Sequence, residues 1–116
     1  MSSVRNYLPP FNIIANGDMS QATLTSSVSN IKNIDNVCLY FSFTGTPTGV
    51  FTVYGNFTED TINGVAMSFS ESPVAGGVSG SILLNMSLLA FPFIYVTYTK
   101  TRGTGTCNVA ISGKGW

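Results

Sequence analysis

Two stretches of this chain are built to one plan. Residues 41–54 read FSFTGTPTGVFTVY and residues 95–109 read YVTYTKTRGTGTCNV. Each is a run of aromatic and β-branched residues, then a break rich in Gly and Thr, then a second such run. Aromatic and β-branched side chains suit a pleated, half-buried surface. Gly-containing breaks between them are turn signals. Each block therefore predicts a β-hairpin. No convincing amphipathic helix accompanies them, so the chain is expected to be all-β. The expected fold is an antiparallel β-sandwich of about eight strands, jelly-roll-like, with an extended N-terminal arm.

Side-chain parity assigns faces within these runs. Successive strand residues point to opposite sides, so Val37, Leu39, Phe41 and Phe43 share one face and Cys38, Tyr40 and Ser42 the other. Cys107 shares its face with Val109 and Ile111. If both apolar faces look into one core, Cys107 points inward and Cys38 outward. The two cysteines are then expected to be free thiols, in keeping with a reducing compartment.

Punctuation along the chain divides it into an arm, residues 1–10, and a single sandwich domain, residues 11–116. Pro9-Pro10 forbids helix and favours an extended conformation. Phe11–Ala15 is a predicted strand ended by a turn at Asn16-Gly17-Asp18. Residues 21–27 read as an edge strand and residues 29–36 as a loop or single turn. Strands follow at 37–44 and 50–57, with the Gly45–Gly49 turn between them. Asn63-Gly64 signals a further turn, leading into a strand over 65–70. Residues 72–80 read as a flexible loop, 81–86 and 91–99 as strands, and 106–112 as the last.

Charge bounds the function. Asp, Glu, Lys and Arg make up 9% of the 116 residues and balance to zero, against about 25% in an average soluble domain. Nucleic-acid binding needs clustered Lys and Arg to displace counterions, and only Lys100 and Arg102 are close together, so no nucleic-acid partner is expected. Residues 1–10 lack the apolar core of a secretory leader. The longest apolar stretch, 87–96, is far short of the ~20 residues that cross a bilayer, so no membrane partner is expected either. A surface so poor in charge fits one that other protein covers, because interface cores are depleted in charge.

The groups needed for catalysis are sparse. The sequence has no His, which removes Ser-His and Cys-His nucleophile schemes and leaves zinc without a ligand set. Its carboxylates, Asp18, Asp35, Glu59, Asp60 and Glu71, fall in predicted turns. Glu59-Asp60 with Asp18 or Asp35 could offer loop oxygens to calcium, but no EF-hand spacing is present, and solvated turn carboxylates are the expected reading. The glycine-rich segments 76–80 and 103–105 precede no helix and carry no GxxxxGK[ST] pattern. Asn56-Phe-Thr58 and Asn85-Met-Ser87 match the glycosylation acceptor pattern by accident, since no leader precedes them. No enzyme activity and no cofactor or metal is expected. Tyr40, Tyr54, Tyr95 and Tyr98 in strands, with Trp116 in the tail, offer either core filling or a platform for stacking on sugars.

The run FNIIANGDMS (11–20), with TGTPTGVFTVYGN (44–56) and YVTYTKTRGTGTCNVAISGK (95–114), resembles small structural proteins of tailed bacteriophages. The resemblance covers most of the chain. It implies a virion component made in the host cytoplasm: a capsid decoration or cement protein that binds the shell and bridges coat subunits. Its partners would be the major capsid protein, copies of itself, or both. A tail- or spike-associated carbohydrate-binding module, with a glycan as partner, is the alternative. The apolar terminal residues Tyr7, Leu8, Pro9, Pro10 and Trp116 are the candidate subunit interface, with packing on the protein's own sandwich as the alternative.

Overall fold

A computed structural model describes residues 6–69, 73–87 and 89–115. Among them there is no helix. The strands are β1 (Asn6–Asp18), β2 (Thr23–Thr25), β3 (Ser29–Asn30), β4 (Asn36–Gly45), β5 (Thr48–Asn56), β6 (Val65–Ala66), β7 (Val74–Gly76), β8 (Gly80–Met86), β9 (Phe93–Arg102) and β10 (Gly105–Gly115). Sheet A has the order β1-β10-β4-β8. Sheet B has the order β2-β9-β5-β6, with β3 also on β9 and β7 also on β5. Every pairing is antiparallel. The all-β sandwich expected from the sequence is the observed fold.

The two expected hairpins are not hairpins. β4 and β5 lie in different sheets, as do β9 and β10. The partner of β4 is β10, and the partner of β5 is β9. Residues 36–56 and 93–115 thus form one long two-stranded ribbon that folds over on itself. Its register passes unbroken through the bend: Gly45 pairs with Gly105, and Thr48, three residues on, pairs with Arg102, three residues back. A hydrogen bond from Thr46 N–H to the Thr104 carbonyl, 2.9 Å, holds the ribbon together at its crease. A one-residue shift follows between Thr48 and Gly49.

Glycine makes the crease possible. Gly45 and Gly103 have φ of 89° and 81°, a region that L side chains avoid. The two bends also lie backbone against backbone. A Cβ on Gly45 would sit 2.6 Å from the Thr104 carbonyl oxygen, and one on Gly103 would collide with the Thr46 carbonyl. The flanking strands cross the same corner. β1 continues beyond Asp18 to β2, hydrogen-bonded on the way through Met19 N–H to the Gly105 carbonyl and Lys100 N–H to the Ala22 carbonyl. On the other side β7 turns into β8 past Gly77, whose N–H reaches the Pro47 carbonyl. The sandwich is therefore one four-stranded antiparallel sheet folded in half, a jelly-roll arrangement.

The fold traps the apolar faces between its halves. Val37, Leu39, Phe41 and Phe43 of β4 are buried, as are Phe51 and Val53 of β5, Ile94, Val96 and Tyr98 of β9, and Cys107, Val109 and Ile111 of β10. Phe51 sits among Phe41, Phe43 and Tyr98 with ring centroids 4.8, 5.9 and 4.9 Å away, and so ties the sheets together near the crease. At the open end Ile31 and Ile34 turn inward and plug the gap between the sheets. The parity argument holds for the thiols: Cys107 is buried, Cys38 is partly exposed, and both are free.

Boundaries moved in several places. β1 does not stop at Ala15. It runs through Asn16, which adopts φ 51°, and carries three register shifts against β10. Residues 6–10, expected as an arm, are the start of that strand: Asn6, Tyr7 and Leu8 pair with Gly115, Lys114 and Gly113. The expected 65–70 strand is formed only at Val65–Ala66, and Ser70 lies outside the described residues. Val74–Gly76, expected as loop, is a short strand on β5.

Candidate interaction surfaces

Three of the described carboxylates, Asp18, Asp35 and Asp60, are used for loop structure. Asp60 Oδ1 accepts from Asn56 Nδ2 and from the N–H groups of Ile62 and Asn63, each at 3.0 Å. Its Oδ2 accepts from Thr58 Oγ1 at 2.7 Å and Asn63 Nδ2 at 3.2 Å. These donors, the Thr58 hydroxyl first, hold the Asp60 carboxyl well below the usual carboxylate range. Asp18 caps its own turn, accepting from Ser20 Oγ at 2.6 Å and Ser20 N–H at 2.9 Å, and is lowered by those bonds. Asp35 Oδ1 accepts from Asn36 Nδ2. Among the described residues no group of three or more His, Cys, Asp or Glu could hold a metal ion. Glu71 lies outside them. Asn56 is buried, with its side chain inside the Asp60 network, so its acceptor motif is closed to modification.

The tyrosines divide in the same way. Tyr98 is inside the sandwich. Tyr95 lies on the outer side of sheet B but is only 3% exposed. It stacks on Tyr54, rings parallel within 8° and 4.8 Å apart, and Gly64 of the covering loop fits against its hydroxyl end only because it has no side chain. The pair is packing, not a platform. Tyr40, 45% exposed, stands on the outer face of sheet A. Trp116 lies outside the described residues.

Two surfaces remain. The first is the outer face of sheet A. Register sets Asn12, Ala110, Tyr40 and Leu83 side by side across all four strands. Ser42 with Asn108 and Ser81 lies on one side of this row, and Cys38 with Ser112 and Asn85 on the other. Among the described residues of this face, charge appears only at the rims, as Asp18 and Lys114. The second surface is the open end of the sandwich. There the braced loop 57–64 displays Phe57, 79% exposed, and Ile62, 84% exposed, beside the exposed Val65. A groove of about 500 Å³ runs under it, lined by Phe57, Val65, Met67 and Phe91 among others. Tyr7, paired with Lys114, reaches the same end from sheet A. Of the expected interface, Tyr7, Pro9 and Pro10 are exposed, whereas Leu8 is half-buried and packs on the core. Sequence reasoning missed Phe57 and Ile62, which follow a strand that buries its aromatics.

No protein-family model matches this chain, and no curated protein matches it in sequence. Its shape is widely shared. The SPBc2 prophage-derived protein YomS superposes with a TM-score of 0.62 at 7% identity, over 97% of each chain. A chain of infectious bursal disease virus, Gx strain, gives 0.62 at 9% identity. That match covers 98% of this chain and 33% of the viral one, so this protein spans about one third of its length. A CBM4 structure gives 0.50 at 10% identity, over 78% and 60%. What these proteins share with this chain is the β-sandwich.

Proposed function

We propose that the protein is a non-enzymatic structural component of a phage virion, a decoration protein that docks on the capsid and bridges coat subunits. The observation that carries this reading is the open end. Phe57 and Ile62 stand in solvent on a loop that Asp60 braces through five hydrogen bonds. Large apolar side chains held rigidly in water gain nothing there. A coat surface that covers them removes apolar area from water at about 25 cal/mol per Å². The loop is already ordered, so docking does not have to fix it. The prophage origin of YomS and the viral source of a second neighbour agree with a virion location.

Phe57→Ser with Ile62→Ser is expected to leave the fold intact and to abolish rebinding of purified protein to particles stripped of it. Such particles should be less resistant to heat and osmotic shock until the wild-type protein is restored. Equal occupancy by variant and wild type would overturn the docking site. Tyr40, exposed beside Ser42 and Ser112, motivates a second reading: glycan binding in host adsorption. That reading expects stripped particles of unaltered stability that no longer adsorb, and glycan binding lost on Tyr40→Ala.

A further inference from the structure

The sandwich has one long unprotected edge. In sheet A the β1 edge is blunted by Pro9 and Pro10 and by three register shifts, the usual devices against edge-to-edge pairing. In sheet B the edge strands are two or three residues long. β8 closes sheet A on the other side. It has seven residues, Gly-Ser-Ile-Leu-Leu-Asn-Met, paired to β4 without a register shift. It contains no charge and no proline. Among the described residues nothing pairs with its outer side.

The strand is also symmetric about its middle. Leu83 is central. Apolar Ile82 and Leu84 flank it, then polar Ser81 and Asn85. Antiparallel pairing of this strand with itself, on a two-fold axis through Leu83, sets Leu83 opposite Leu83 of the second copy. Ile82 then meets Leu84 of that copy, and Ser81 meets Asn85. Like meets like at these five positions, only the end pair Gly80–Met86 departs from the symmetry, and no charge faces a charge. Leu83, 62% exposed, lies on the outer face in line with Tyr40 and Ala110. Ile82 and Leu84 lie on the core side, packed against the core yet only partly buried. The axis therefore extends two apolar layers across the junction at once.

We propose that β8 is a homodimer interface: two copies join β8 to β8 in antiparallel register about Leu83, making one continuous eight-stranded sheet. The contact is isologous and closes at two copies. The blunted β1 edges end the sheet on both sides, so it does not grow into a fibre. The inference goes beyond the decoration reading and does not depend on it.

The test is sedimentation velocity on the full chain over a concentration series. Wild type is expected to pass from monomer to dimer. Leu83→Lys places two ammonium groups opposite each other and should weaken association by about tenfold or more. Its side chain is exposed, and an unchanged circular-dichroism spectrum and melting temperature will show that the fold is kept. The register is tested by two double variants. Ser81→Lys with Asn85→Glu sets opposite charges across the axis and should keep the dimer, whereas Ser81→Lys with Asn85→Lys should lose it. A wild type that stays monomeric overturns the proposal. So does Leu83→Lys associating like wild type, or equal behaviour of the double variants. Loss of particle binding by Leu83→Lys in an otherwise monomeric protein would give the edge to a coat strand and likewise overturn it.

Discussion

Tyr98 is packed against Phe51 inside the sandwich, and its buried hydroxyl has no hydrogen-bond partner among the described residues. A buried polar group left unpaired costs about 1–3 kcal/mol. Tyr98→Phe removes that group and keeps the ring, so it is expected to raise the denaturation midpoint in urea or leave it unchanged. A drop of more than about 1 kcal/mol would show that the hydroxyl has a partner in solution. Cys107 poses a different question at the same scale. Burial pushes its thiol up to about 11 from an ordinary 9.0, and burial also raises Tyr95 and Tyr98. The sign follows from linkage. A raised folded-state pKa means that the unfolded chain releases its proton first as pH climbs. The contribution of the neutral thiol is complete below the ordinary value and is lost as pH rises through about 11. Stability should therefore fall from pH 9 upward. Cys107→Val should flatten the first part of that fall in thermal melts across the alkaline range. Burial raises the Cys38 thiol as well, so an identical slope in the variant would assign the fall to Cys38 and the tyrosines.

The start of β1 illustrates what pairing does for an element. Leu8 packs on the core, and its carbonyl accepts from Ser112 Oγ at 3.1 Å. A free arm could be cut away at no cost to the domain. Removing residues 1–10 from this fold should instead lower stability by about 1–2 kcal/mol, the net of a few hydrogen bonds and one half-buried leucine against the backbone entropy released. A melting temperature that does not move would show that residues 6–10 are not held by β10. The strands themselves were legible because their apolar alternation is strict: Val37, Leu39, Phe41 and Phe43 could face one way only. Which strands pair was not legible. Gly45-Thr-Pro-Thr-Gly49 has the residues of a hairpin turn and also those of a corner. Parity is the same in both, because a strand that changes sheet keeps its inner face inward. The deciding contact, Thr46 to Thr104, is 58 residues away along the chain, and no local pattern encodes it. The same holds for β8. Its symmetry about Leu83 is visible in the letters, but it means something only once the strand is known to be an edge.

At the scale of the whole molecule, the poverty of charge fits a surface that other protein covers but does not say which part of it. Aromatic residues sit both in the core and on the open end, and composition does not separate Phe41, fully buried, from Phe57. Folding the four-stranded sheet in half collects the 31–35, 57–64 and 89–92 connections at one pole and leaves the crease at the other. It also sets Asn6 and Gly115 next to each other, the outermost pair of β1 and β10 among the described residues. That last placement decides how the molecule bears force. Tension between Asn6 and Gly115 would peel β1 from β10 one pair at a time, the weak direction of an antiparallel ladder. A push against the pole with the loops enters both halves of the sheet together and squeezes a packed core that hardly compresses. A body of this shape resists being pressed at that pole and yields to tension between Asn6 and Gly115.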